Sequence, residues 1–391
     1  MFSSRLPARL APNAISQAVA MLRAERVPLL DLTETNPTSV GLPYGSNIAE
    51  ALGRVDSRRY APEPAGLLIA RDAVARDYAD AGLIIDPHRV MLTASTSEAY
   101  ALLFKLLCDA GDQVLVPQPS YPLFDSLTRL EGVVAQPYQL QYDGQWSIDR
   151  ESVEQALSPR ARALLIVSPN NPTGSLLRAA DREWLVARAA TAGIALIADE
   201  VFAGYPLRPH PDAVSCVGEQ RVLTFVLGGL SKAAGLPQMK LAWILIDGPR
   251  DDAAQALSRL EIIADTYLSV STPVQLAAPS LLSAGRDIRA HIQQRIRTNF
   301  QELERLVGPA SPATVLAAEG GWSAVIRVPA TEPEESLVLR LLRDAHVLIH
   351  PGFFFDFADE AYLVASLLPD PAIFKDAMSR VLAAVGGDRT I

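Results

Sequence analysis

The sequence is poor in lysine. Of its 35 cationic residues four are lysines (Lys105, Lys232, Lys240 and Lys375), which leaves 31 arginines in a chain of 391. It holds two cysteines, Cys108 and Cys216. They can form at most one bridge and have no metal-ligand spacing, so a reducing compartment and no metal site are expected. No lysine- or arginine-rich block occurs and the net charge is -9, which argues against binding to nucleic acid or anionic lipid. No apolar run approaches the ~20 residues of a membrane span. Arg5, Arg9, Arg23 and Arg26 interrupt the N-terminal stretch as no secretory signal would allow. These absences lead to the expectation of a soluble, cytoplasmic protein.

What is present is ample core material, with 49% hydrophobic residues. The length suits two or three domains. From about residue 65 to 285, short apolar runs alternate with helical ones. RVMLTAS (89–95), QVLVPQPSY (113–121), ARALLIVS (161–168), GIALIADEVF (193–202), RVLTFVLGG (221–229) and KLAWILID (240–247) read as strands. They are continuously apolar rather than alternating, as in a sheet buried on both faces. Helices at 67–78, 97–111, 179–193 and 252–266 complete a βα pattern, which predicts an open, mostly parallel α/β sheet. Beyond it, a long helix at 287–306, strands at 322–329, 347–352 and 362–368, and helices at 333–345 and 371–385 predict an α+β domain. The first ~45 residues are too few to fold alone and are expected to pack on it.

Open α/β sheets bind ligands at the carboxyl ends of their strands, and five such ends carry polar residues. In LTASTSEA, Ser95, Thr96 and Ser97 open a helix, where free N–H groups and hydroxyls suit a phosphate; an ordinary N-cap is the plainer reading. In VPQPSYP, Tyr121 could cover a flat ring or simply pack in the core. In SPNNPTG, Asn170 and Asn171 make a turn, and a side-chain amide held there is an oriented donor. In LIADEVF, Asp199 ends an apolar strand, and a buried carboxylate needs a partner to offset its desolvation. In GGLSKAAG, Lys232 follows a strand and a glycine pair, where a desolvated amine can act as nucleophile or base. A surface role is the usual fate of lysine, but this chain otherwise avoids lysine, and Lys105 and Lys375 fall on helix surfaces. Together the five supply an amine, a phosphate cradle, an aromatic plate, a neutral donor and a buried anion. Pyridoxal 5'-phosphate (PLP) needs that set.

In this order and spacing the motifs STS, PSY, NNPTG, DEVF and SK, with Lys240 eight residues after Lys232, resemble the fold-type I PLP-dependent aminotransferases of the aspartate aminotransferase superfamily (class I/II). The resemblance implies a large PLP-binding domain, an α/β/α sandwich over 46–285, and a small α+β domain built from 1–45 and 286–391. It implies that Lys232 forms the Schiff base with the cofactor and Asp199 pairs with its pyridinium nitrogen. Asn171 would donate to the ring oxygen, Tyr121 would stack on the ring, and Ser95, Thr96, Ser97, Ser231 and Lys240 would hold the phosphate. Tyr60, in YAPEPAG, resembles the tyrosine that reaches a neighbouring subunit's phosphate. A homodimer with shared active sites follows by resemblance, as does ping-pong transfer of an amino group from an amino acid to a 2-oxo acid. Readings that keep the cofactor but change the reaction are a lyase, a cyclase or a racemase. A non-enzymatic ligand sensor is a third, against which retention of Lys232 and Asp199 argues.

Three positions depart from the family pattern. Phe202 replaces a tyrosine whose hydroxyl also donates to the ring oxygen. Lys240 replaces an arginine, keeping the charge but not the bidentate fork. Val364 stands where an arginine binds the substrate carboxylate. Arg327, His350, Arg5 and Arg9 are candidates to replace that clamp, with Asn36 and Trp322 as further substrate-side candidates. The alternative to a replacement clamp is a substrate without an ordinary α-carboxylate. Trp322, Phe353, Phe354 and Phe355 would make an apolar pocket beside these strands, and core packing explains them equally well.

Overall fold

The computed structural model describes residues 2–7, 10–53, 57–60, 62–268 and 270–386. A two-residue strand, β1 (Leu30–Asp31), comes first. Eight strands then form one sheet: β2 (Val90–Thr93), β3 (Gln113–Gln118), β4 (Val134–Tyr142), β5 (Trp146–Ile148), β6 (Ala161–Val167), β7 (Ala195–Asp199), β8 (Thr224–Gly229) and β9 (Ala242–Asp247). Their spatial order is β2-β9-β8-β7-β6-β3-β4-β5. The five strands from β8 to β4 run parallel, while β9 is antiparallel to both neighbours and β5 to β4.

Alternate residues of these strands enter two separate cores, as the period of two along a strand requires. Leu164, Leu196, Val226 and Trp243 pack with helices Leu68–Asp80, Ala179–Ala192 and the start of Thr272–Leu306. Leu165, Ile197, Leu227 and Ile244 pack on the other face with helices Thr96–Leu107, Leu123–Glu131 and Arg250–Tyr267. The result is the three-layer α/β arrangement that the apolar strands predict.

The second region is a four-stranded antiparallel sheet in the order β10-β11-β14-β13, built from β10 (Thr314–Val315), β11 (Ser323–Arg327), β13 (His350–Pro351) and β14 (Tyr362–Ser366). β12 (Val347–Leu348) pairs in parallel with β1, which ties the N-terminal segment to this region. Leu32, Trp322, Ile326, Leu363, Phe374 and Met378 share its core.

Two elements differ from the reading of the sequence. Residues 272–306 form one helix of 35 residues that continues through Pro279. A proline inside a helix removes one backbone hydrogen bond. Burial of Ala277, Ala278, Leu281 and Leu282 holds this helix through it, and the Gln275 side chain bonds outward to the Val270 carbonyl and the Leu67 N–H. The helix therefore crosses the boundary drawn at 285/286. β4 carries polar residues and Pro137 along its length, so no apolar run announces it.

Candidate active site

A cavity of about 630 Å³ opens where the carboxyl ends of the parallel strands face the small sheet. Of the residues that the motifs and departures single out, Ser95, Thr96, Ser97, Tyr121, Asn171, Asp199, Phe202, Ser231, Lys232 and Lys240 line it. So do the substrate-side candidates Trp322 and His350, and Val364 itself. Side chains as far apart in sequence as Ser95 and Val364 thus meet at one place.

The helix Thr96–Leu107 starts with a capping box. Ser95 Oγ accepts from the Glu98 N–H at 3.1 Å, and the Glu98 carboxylate accepts from the Ala94 N–H. The first N–H groups of a helix have no carbonyl to meet within it. Those of Thr96 and Ser97 belong to residues that line the cavity, and the helix dipole adds positive potential there.

Asp199 ends β7 and is buried. Its Oδ2 accepts from the Tyr100 hydroxyl at 2.7 Å and its Oδ1 from the Val201 N–H at 3.2 Å. Burial raises its pKa above the usual carboxylate range, while Tyr100, Val201 and the Lys232 charge act in the opposite direction. Tyr100 comes from the buried face of the helix that Ser95 caps, and its own pKa is driven well up by burial and then by the carboxylate it serves.

Lys232 follows β8 in the short helix Leu230–Ala233. Its Nζ lies 4.6 Å from the Trp322 ring centroid and 5.3 Å from that of Phe202. Desolvation there pulls the amine down to about 8, against the pull of Asp199. No ion pair joins the two among the described residues, so the amine is held in an aromatic corner rather than clamped to a carboxylate. Its backbone is fixed by Tyr205, whose hydroxyl donates to the Lys232 carbonyl and whose ring packs edge-on against Trp322 at 5.0 Å.

The NNPTG turn divides its two asparagines. Asn170 is buried and bonded to Ser120, Thr173 and the Pro119 carbonyl, which makes it a structural brace. Asn171 lines the cavity, where its one bond among the described residues is a long one of 3.5 Å from Ser323. Gly174 closes the turn in the left-handed region (φ +71), and a Cβ there would meet the Gly320 carbonyl at 2.6 Å. That close approach lets the Gly320 N–H bond the Gly174 carbonyl at 3.0 Å and sets Trp322 at the start of β11. Tyr121 stands at the cavity edge, 43% exposed, packed edge-on to Phe124.

The remaining candidates, His350 apart, lie elsewhere. Arg327 is exposed at the far end of β11, four residues past Ser323 and outside the lining. Asn36 caps its own turn, accepting from the Thr38 N–H and hydroxyl and donating to Ser39. Arg5 reaches the Leu130 carbonyl on an outer helix, and Tyr60 is 72% exposed. Arg9 lies outside the described residues. His350 is half-buried, and burial lowers its pKa while Asp31 acts to raise it.

Sequence reasoning missed Tyr100, Tyr205, Ser323 and Ser366. Tyr100 had one available signal: it falls four residues after Thr96, one helical turn from the phosphate-side cap. Trp322 was picked out, but not its indole N–H, which is buried without a partner among the described residues.

Comparison with known proteins agrees with the geometry. The family model described as "Aminotransferase class I and II" matches residues 46–365. The alanine aminotransferase of Mycobacterium tuberculosis (strain ATCC 25618 / H37Rv) is 28% identical over 382 residues, covering 91% of this chain and 85% of that protein. The glutamate-pyruvate aminotransferase AlaA of Haemophilus influenzae is 24% identical over 370 residues, 92% of this chain and 91% of that one. Among solved structures, the alanine aminotransferase from Pyrococcus furiosus superposes with a TM-score of 0.87 at 24% identity, covering 97% of this chain and 98% of that one.

Proposed function

Because the chain belongs to the class I and II aminotransferases and so transfers amino groups, we propose that its cavity holds pyridoxal 5'-phosphate and moves the amino group of an amino acid to a 2-oxo acid in two half-reactions. The residues present fit that cofactor. A desolvated amine, a buried carboxylate and a helix N-terminus with free N–H groups face one cavity between two layers of aromatic and apolar side chains.

When bound, the cofactor supplies an aldehyde that takes up an amine and a ring that accepts the electron pair left at the substrate's α-carbon. The chain's own residues do the rest. Thr96 and Ser97 N–H groups, the Ser95 and Ser231 hydroxyls and Lys240 hold the phosphate. Asp199 keeps a proton on the ring nitrogen, and Tyr100 keeps the Asp199 carboxylate charged and aimed. Asn171 donates its amide to the ring oxygen, unaided by Phe202, which has no hydroxyl. Tyr121 covers the ring face. Lys232 Nζ, low enough in pKa to be neutral in part near neutral pH, would take the proton from the substrate's α-carbon and deliver it to the cofactor's aldehyde carbon. Trp322 and Phe202 exclude water around that amine.

The meeting of Lys232, in its aromatic corner, with buried Asp199 at one cavity is the observation that carries the reading. We further propose a cytoplasmic homodimer, with Tyr60 serving the partner's site, and the domain division 46–285 against 1–45 with 286–391. Purified protein should show the cofactor's visible band, fixed to the chain by borohydride. Lys232→Ala should lose the fixed adduct and at least about 10³-fold in activity, the scale of a lost acid–base group. A panel of amino donors scored for formation of the amine form of the cofactor tests transfer. A colourless protein that cannot be loaded would end the cofactor assignment, and release of ammonia instead of amine capture would replace transfer with elimination.

A further inference from the structure

Amino transfer between an amino acid and a 2-oxo acid brings a carboxylate into the cavity at every half-reaction, so some group must receive it. The lining contains three basic side chains: Lys232, Lys240 and His350. Both lysines come from the segment after β8, on the wall that carries Asp199. His350 comes from β13, on the opposite wall.

Strand register sets where its ring stands. His350 lies directly across from Val364 in the antiparallel pair β13–β14. Directly opposed residues project to the same face of a sheet, and both line the cavity. Two residues along the same face of β14 is Ser366, whose hydroxyl is already given to the Glu34 carbonyl. The imidazole is therefore the basic group of this wall. It is held between two rings, with centroids 5.8 Å from Phe354 and 5.7 Å from Phe355. No hydrogen bond or ion pair engages its nitrogens among the described residues.

We infer that His350 receives the substrate carboxylate, and that the chain's substrates are amino acids with one carboxylate and an apolar or aromatic side chain. This rests on the aminotransferase reading above. A single imidazole satisfies one carboxylate. A second, on the side chain of aspartate or glutamate, would meet the apolar side chains of Val364, Phe354 and Phe355, which offer nothing to offset its desolvation.

The test uses the loaded enzyme and two variants. His350→Phe keeps an aromatic ring against Phe354 and Phe355 but removes both nitrogens, and His350→Asn keeps a hydrogen-bond donor if the first variant folds poorly. Binding of 3-phenylpropanoate is read from the perturbation of the visible band, and kcat and KM are measured for phenylalanine, leucine, glutamate and phenethylamine. His350→Phe should weaken the carboxylate's binding and raise KM for phenylalanine by about ten-fold to a hundred-fold, the range for a charge-assisted hydrogen bond. His350→Asn should fall between it and the wild type, and kcat should change little. Phenethylamine, which has no carboxylate, should bind all three proteins alike. Wild-type protein should prefer phenylalanine or leucine to glutamate. Binding of 3-phenylpropanoate within two-fold of wild type in both variants would overturn the assignment, as would an equal loss for phenethylamine. A wild type that favours glutamate would overturn the substrate class. If the wild type takes up PLP but transfers from no donor, the aminotransferase reading itself fails, an outcome distinct from any of these.

Discussion

The two walls of the cavity are built on different plans. The large-sheet wall is a row of strand ends at which several polar groups are already partnered, Asp199 by Tyr100 and Val201 and Ser95 by Glu98, with Asn170 braced behind the cavity by Ser120 and Thr173. The small-sheet wall is mostly aromatic and apolar, and among the described residues two of its polar groups stand unpaired, the buried Trp322 indole N–H and the His350 ring nitrogens. A preorganised wall suits a group that stays bound throughout turnover, because its charges are aimed in advance and cost no reorganisation. A wall with unsatisfied donors suits a molecule that comes and goes, because each donor is paired only while the substrate is present. Cofactor and substrate recognition are in this sense separable.

Breaking the large-sheet wall should have the larger effect. Asp199→Asn keeps the size of the side chain, and its one amide oxygen can still accept from the Val201 N–H while its NH2 donates to the Tyr100 hydroxyl, but it gives up the charge. We expect kcat to fall by about 10²–10³-fold, the scale of losing one preorganised electrostatic partner. Thermal unfolding should hold or rise, because a buried charge is removed while its hydrogen bonds remain. A midpoint that drops by several degrees would mean that Asp199 is a structural group whose loss damages the fold.

Tyr100→Phe should have a smaller effect of the same kind. It deletes only the 2.7 Å bond that lowers the pKa of Asp199, so the carboxylate, already raised by burial, should rise further and hold the ring proton less firmly. A hydrogen bond to a charged group is worth about 1.5–3 kcal/mol. Part of that is recovered by relaxation, so a loss of about ten-fold in kcat and a weaker PLP dissociation constant, measured by equilibrium dialysis, are expected. Unchanged values of both would reduce Tyr100 to a packing residue.

How much of this was legible in the sequence follows the same division. The large-sheet wall is encoded in contiguous motifs, because each strand end and the loop after it are neighbours in sequence; Ser95, Asn171, Asp199 and Lys232 could be picked out one at a time. The small-sheet wall depends on which residue of β13 faces which of β14, and a register is not written in either strand alone. For that reason Arg327, His350, Arg5 and Arg9 could not be ranked as carboxylate partners, and Arg327 proved to stand outside the cavity, exposed at the end of β11. Tyr100 was hidden for another reason: on a helix face with Leu103 and Phe104 it reads as core. The fold was legible where apolar periodicity was strong. It was not at Pro279, where tertiary burial overrides a local helix breaker.

The smallest of the expected effects concerns the amine between the walls, which Trp322 and Phe202 desolvate from the small-sheet side and Asp199 opposes from the other. Only the neutral amine attacks an aldehyde. A lysine at its ordinary pKa of ~10.4 is neutral in about one molecule per thousand at pH 7.5, whereas one held at about 8 is neutral in roughly a quarter. Uptake of PLP by the apoprotein should therefore quicken about four-fold between pH 7.5 and 9 and then level off. It can be followed by growth of the visible band under conditions where PLP itself does not change ionisation. If the rate instead climbs ten-fold per pH unit through that range, the aromatic corner does not desolvate Lys232, and the difference between the walls would lie in their polar groups alone. If it levels as expected, replacing Trp322 by leucine, which removes the ring 4.6 Å from the amine, should move the plateau to higher pH and show that the substrate-facing wall also sets the basicity of the cofactor-facing lysine.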